Sequence, residues 1–90
     1  MAVLIDTPRW PAHGRLWSHL ASDSSLNELH AFARTAGIPE RAFDRDHYDV
    51  PGDRYHDLVA AGAQPVESRD LLARLTNAGL RSRRPATRST

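Results

Sequence analysis

A chain of ninety residues builds one core and buries only about 60–65 % of its unfolded surface, so one small domain is expected. It contains no Cys, which excludes a disulfide framework and a thiolate metal site and leaves His and carboxylates as the strong metal ligands. All 12 basic residues are Arg, and the formal charge of +1 hides an asymmetry. Arg81, Arg83, Arg84 and Arg88 crowd the last ten positions. The body to Leu80 sets eight Arg against eleven acids, with the acids concentrated between Glu40 and Asp57. That distribution argues against a nucleic-acid domain, which should carry its cations on a folded face. No apolar run approaches the roughly 18–20 residues of a membrane span, and no charged-then-apolar leader follows Met1. A cytoplasmic location is therefore expected.

Val3-Leu4-Ile5 reads as a short buried strand ending at Asp6. Thr7 to Arg15 contains two Pro and one Gly and reads as a loop. A second strand is expected from Leu16 to Ala21, with Leu16, Ser18 and Leu20 on one face and Trp17, His19 and Ala21 on the other. Ser25 and Glu28 fit a capping box. Leu26, Leu29, Ala33 and Ala36 follow at helical spacing, and Gly37 and Pro39 stop the helix. Ala42-Phe43 suggests an extended segment leading to Asp46-His47-Tyr48-Asp49-Val50, too short for its pattern to establish a strand. Pro51 suits the first turn of a second helix ending at Gly62. Gln64-Pro65-Val66 has the look of an edge strand. Ser68 is expected to cap a third helix carrying Leu71, Leu72, Leu75 and Ala78. The expected fold is α/β (α+β): one domain over 1–80, a mixed sheet of 3–4 short strands with about three helices mainly on one face, and a disordered Arg-rich tail over 81–90.

The strand ending in Asp6, the Pro/Gly loop, Ser18-His19 before Asp23, Glu28-Leu29-His30, and Asp46-His47-Tyr48-Asp49 together resemble the domain of unknown function 4031, a family of small proteins of actinobacteria and their phages. The resemblance covers roughly residues 1 to 80. It implies a compact α/β domain and carries no activity with it.

Two groups of residues invite a functional reading. Asp6, His19, His47 and Asp49 are the right ligand types for a divalent transition metal, and equally for general acid–base work. His47 and Asp49 are two apart, so an extended segment turns both the same way, and Asp6 ends a strand where α/β folds place ligands. The competing reading gives Asp49 and Asp6 capping roles and the His residues ordinary hydrogen bonds. The second group is the loop with Arg9, Trp10 and Arg15: Arg offers paired donors to phosphate or carboxylate, and Trp a stacking face. Its competing reading is a Trp over the core edge with both Arg residues solvated. His30 reads as a half-buried packing residue, and Asp44-Arg45-Asp46 as a solvated, self-compensating surface.

Three functions fit. In the first, a small anionic ligand, a nucleotide or phosphorylated metabolite, is held by Arg9, Trp10, Arg15, His19, His47 and Asp49. In the second, a divalent metal on Asp6, His19, His47 and Asp49 activates water to hydrolyse a phosphoester. In the third, the domain is a non-catalytic interaction module or homodimer. The tail is expected to make only weak, salt-sensitive contacts with nucleic acid.

Overall fold

The computed structural model describes residues 2–81. Strand β1 (Val3–Asp6) leads to β2 (Trp10–Ala12) and β3 (Arg15–Ser22), followed by helix α1 (Leu26–Ala36), strands β4 (Phe43–Asp44) and β5 (His47–Pro51), helix α2 (Tyr55–Ala60), strand β6 (Gln64–Val66) and helix α3 (Ser68–Asn77). The fold class is the expected mixture of α and β, with six strands in the sheet where three or four were anticipated. Among the described residues no helix is long and apolar enough to cross a membrane.

β3 organises the sheet. β5 runs antiparallel along one side of it, from Trp17 opposite Pro51 to Leu20 opposite Tyr48. The other side is shared: β1 pairs with the C-terminal part of β3 (Ile5 opposite Leu20) and β2 with its start (Trp10 opposite Trp17). β4 extends the sheet beyond β5, and β6 closes the far edge in parallel with β1. Alternation then sorts the side chains. Val3, Ile5, Leu20, Tyr48 and Val50 face α1 and α2, meeting Leu29, Ala33 and Leu58 in the larger core. Leu4 and Ala21 face the other way and meet Leu71 and Leu75 of α3. Two helices thus share one face, and the third covers part of the opposite face.

The loop expected over Thr7–Arg15 contains a strand. His13 and Gly14 have φ of 52° and 76°, the left-handed pair that a two-residue hairpin turn requires. Pro11 is tolerated because β2 is an edge strand that need not donate on its outer side. α1 has its expected bounds: Ser25 Oγ accepts the Glu28 N–H at 3.1 Å, and Gly37 closes the helix at φ 78°. The reciprocal half of the capping box is absent. Instead Ser22 and Ser24 donate to Glu28 Oε1, and Ser25 N–H donates to Ser22 Oγ. Pro51 ends β5 rather than opening a helix, since a 3₁₀ turn (Gly52–Arg54) precedes α2. Ser68 does not cap α3. Glu67 stands at that position without a side-chain cap, and the Ser68 hydroxyl is used elsewhere.

Asp23 ties the N-terminal strand to α3. Its Oδ1 accepts the Ala2 N–H and its Oδ2 accepts from Arg74, both at 2.8 Å. The Ala2 hydrogen bond, aided by Arg74, holds the carboxyl below its ordinary range against a burial effect that opposes it. A depressed carboxylate stabilises the fold above its unfolded pKa of about 3.9, and that contribution vanishes as pH falls through the lower folded value. Asp23→Ala should therefore cost about 1 kcal/mol at pH 7. In urea denaturation, the gap between the two proteins should be constant near neutrality and shrink below about pH 4. An unchanged gap at pH 3 would contradict the assignment.

Candidate metal centre

Cross-strand register brings the polar residues together. His19 on β3 lies directly opposite Asp49 on β5, and His47 stands two residues before Asp49 on the same face. That face is opposite the one taken by Tyr48 and Val50, and α3 lies over it beside His19 and His47. His47 Nε2 is 3.1 Å and His19 Nε2 is 3.9 Å from Asp49 Oδ1. The imidazole centroids are 5.1 Å apart and nearly perpendicular. Among the described residues, His19, His47 and Asp49 form a group that could hold a metal ion, one ligand atom from each lying within 4.8 Å of the others.

Asp6 stands behind His19. β1 stops pairing at Leu20 and β2 starts at Trp17, so the β3 edge has a gap between them. The Asp6 carboxylate fills it: Oδ1 accepts the His19 backbone N–H at 2.6 Å, and Oδ2 accepts His19 Nδ1–H at 2.8 Å and the Ser68 hydroxyl at 2.7 Å. Asp6 is fully buried. Burial alone would raise its pKa, but the two His19 bonds and the Ser68 bond outweigh it and hold the group ionised below its ordinary range. In return, the hydrogen bond to Asp6 pulls the His19 pKa up against burial, with the Asp6 and Asp49 charges adding to the rise. Both Asp6 oxygens are thus hydrogen-bonded, and the three residues that could hold an ion together are His19, His47 and Asp49.

His47 has the same arrangement behind it, through a residue that the sequence reading assigned to the surface. Asp46 is only 4% exposed. Its Oδ1 accepts His47 Nδ1–H at 2.8 Å, and the Arg81 guanidinium grips both oxygens, Nε to Oδ2 at 2.7 Å and NH2 to Oδ1 at 2.9 Å. Burial would raise Asp46, and the bonds from Arg81 and His47 bring it below the ordinary carboxylate range. Arg45 at φ 62° makes the β4–β5 turn that folds Asp46 back beside His47. Arg81, expected to begin the tail, is placed by Gly79 (φ 79°) and by Leu80, which packs on the α3 core. The remaining tail, 82–90, lies outside the described residues. Arg81 and Ser68 are the contributors that no sequence pattern marked, because their partners are 35 and 62 positions away.

Both Nδ1 atoms donate to buried carboxylates; of the two Nε2 atoms, that of His47 is hydrogen-bonded to Asp49 Oδ1 at 3.1 Å and that of His19 lies 3.9 Å from the same oxygen. Three acceptors around one point need a proton or a cation between them. Two ligand atoms each about 2.1 Å from one metal stand about 3.0–3.4 Å apart in octahedral or tetrahedral geometry. The His47–Asp49 separation already suits that, and the His19–Asp49 pair would need to close by about 0.5 Å. Asp49 is 45% exposed, so the point is open to solvent.

The second candidate group is split. Trp10 is 43% exposed, with its ring 5.3 Å from that of His19. Arg15 lies with its guanidinium 5.9 Å from the centroid of the Trp17 ring. Arg9 is exposed and joins the hairpin through its backbone N–H to Trp17 O, so its side chain is not brought to the centre. His30 is a half-buried packing residue, its Nδ1 2.7 Å from the Tyr48 hydroxyl and its ring against Phe43. Ser18 projects to the opposite face from His19, and its buried hydroxyl has no partner among the described residues.

The family model described as "Protein of unknown function (DUF4031)" matches residues 3–78. No curated protein and no solved structure matches the chain.

Removing Arg81 would leave the Asp46 carboxylate buried without its cation. Arg81→Ala should lower stability by about 1–3 kcal/mol, whereas Arg41→Ala, on an exposed side chain, should change it by less than about 0.5 kcal/mol. Chemical denaturation of both variants decides the point, and equal effects would sink the pairing.

Proposed function

Because the chain belongs to the DUF4031 family of proteins of unknown function, its chemistry has to be read from the centre itself, and we propose that the domain holds one divalent transition metal on His19 Nε2, His47 Nε2 and the Asp49 carboxylate. The observation that carries this reading is the pair of buried carboxylates. Asp6 and Asp46 each fix the Nδ1 proton of one imidazole and turn its Nε2 to the same point. Carboxylate–histidine–metal triads use that outer shell to set the tautomer and raise ligand basicity. Three protein ligands leave coordination positions for water and substrate. Arg15 and Arg41 line the hollow that reaches His19 and Asp49, and Arg69 the one that reaches His19 and His47, so donors for an anion are present in both. A metal held by His19, His47 and Asp49 would supply an activated water as nucleophile, and the substrate would be a phosphoester. The reading in which an Arg-lined loop alone binds an anion is weaker, because Arg9 does not reach the centre.

Protein purified without chelators should contain metal by elemental analysis, or take up one equivalent of Zn²⁺, Mn²⁺ or Fe²⁺ in calorimetric titration. His47→Ala and Asp49→Ala should abolish binding. Asp6→Asn should keep the stoichiometry and weaken affinity about 10–100-fold. The loaded protein should hydrolyse bis(p-nitrophenyl) phosphate. If none of the three metals binds at 100 μM (on the order of the weakest useful affinity for such a site), or if Asp49→Ala binds as tightly as the parent, the metal reading fails. An interaction module with structural His residues would instead show lowered stability in these variants and no metal in any of them.

A further inference from the structure

Two hollows meet at the centre. The larger, about 960 Å³, runs between the β2–β3 hairpin and the Pro39–Asp44 stretch and reaches His19 and Asp49 at one end. The smaller, about 300 Å³, lies under α3 and is bounded by His19, His47, Arg69 and Leu72. His19 and Trp10 belong to both, Asp49 only to the larger, His47 only to the smaller. The centre thus borders both hollows, and a guest seated there could extend into either. Their volumes mark the upper and lower ends of the range typical of small-molecule sites, about 300–1,000 Å³.

Trp10 stands on the divide. It joins neither apolar core, and nearly half of its surface is in water, so packing does not explain an indole there. Trp17, in the same cleft, is committed: its Nε1–H donates to Ala12 O at 2.8 Å, and Arg15 lies near its ring. Trp10, with one side against the His19 ring and nearly half of its surface exposed, is the indole next to the centre that still offers area to a guest. The charges of the larger cleft set the size of the guest. Arg15, Arg41 and Arg54 are matched there by Asp44, Asp49 and Asp53, and Arg54 already donates to Ala36 O. A strand of nucleic acid needs a row of cations in excess of acids, whereas this cleft is lined by three of each. It suits a small molecule with one phosphodiester group.

We propose, on the footing of the metal reading above, that the substrate is a small nucleoside phosphodiester whose base stacks on Trp10, its phosphate at the metal and its second ester group in the hollow under α3. In the reaction, the oxygen of a water activated at the centre bonds to phosphorus. The P–O bond to the group under α3 breaks, and its electron pair leaves on the ester oxygen. That oxygen takes the proton the water gave up. One water is consumed, and a nucleoside monophosphate and an alcohol are released.

The test compares two esters with the same leaving group on the metal-loaded full chain: the p-nitrophenyl ester of thymidine 5′-phosphate and methyl p-nitrophenyl phosphate. Base–aromatic stacking of about 1–3 kcal/mol corresponds to a preference of about 5- to 150-fold in kcat/KM for the nucleoside ester. Trp10→Ala should bring the two within about twofold, and Trp10→Phe should restore most of the preference, with metal stoichiometry checking that each variant folds. Equal kcat/KM on the parent protein, or a preference that survives in Trp10→Ala, overturns the proposal. So does a single-stranded oligonucleotide bound more tightly than thymidine 5′-monophosphate. If metal binds but neither ester is cleaved, quenching of tryptophan fluorescence by thymidine 5′-monophosphate in the parent and not in Trp10→Ala supports the nucleoside subsite and removes only the hydrolytic reading. No quenching removes the subsite as well.

Discussion

The Asp6 carboxylate occupies a place where the sheet would otherwise be broken. β3 loses β1 as a partner before it gains β2, and the His19 N–H falls in the interval. An unpaired backbone donor there costs free energy comparable to a lost hydrogen bond. Asp6 supplies the acceptor from a side chain, and the same group then holds the His19 ring and the first residue of α3. One ionised carboxylate with three donors thereby joins sheet continuity, helix docking and ligand orientation. Loss of any one donor weakens the case for keeping a charge buried at that point.

The pattern is repeated around Asp46 with different parts. There the donors are His47 Nδ1 and an arginine that arrives from beyond α3. Two buried carboxylates in so small a protein are costly to desolvate, and ion pairs of this kind commonly contribute little net stability compared with apolar packing. Their shared consequence is orientation. Each fixes one imidazole, and both imidazoles present Nε2 to the same exposed carboxylate, His47 at hydrogen-bond distance and His19 at 3.9 Å. Histidines merely satisfied by the nearest backbone would have no reason to converge.

Much of this was legible in the chain. The cap at Ser25, the stop at Gly37 and the apolar spacing of α1 are local signals, and they set that helix correctly. The two-residue spacing of His47 and Asp49 put both on one face of β5, and alternation separated His19 from Ser18. Other features depended on distant partners. The hairpin at His13-Gly14 was hidden by Pro11, whose exclusion from strands applies to central ladders and not to an edge. Asp46 sat in a run of alternating charge that reads as solvent-exposed until Arg81 covers it. Ser68 had the chemistry of a cap, but it is the first residue of α3 rather than the residue before it, and its hydroxyl donates to Asp6 at the end of β1.

Three of the body's eleven acids gather in the same place. Asp6, Asp46 and Asp49 bring three negative charges to the centre and Arg81 one positive charge, so with neutral imidazoles the group carries −2. Protonating both imidazoles or adding one divalent cation restores neutrality equally well. The two differ in geometry: a proton on each Nε2 directs two separate hydrogen bonds at one oxygen, whereas a cation accepts all three lone pairs at a single point. Both make use of the convergence that Asp6 and Asp46 impose, the first as the His47–Asp49 hydrogen bond, and the second, which is the reading proposed above, as a single point that a cation's own charge would dominate.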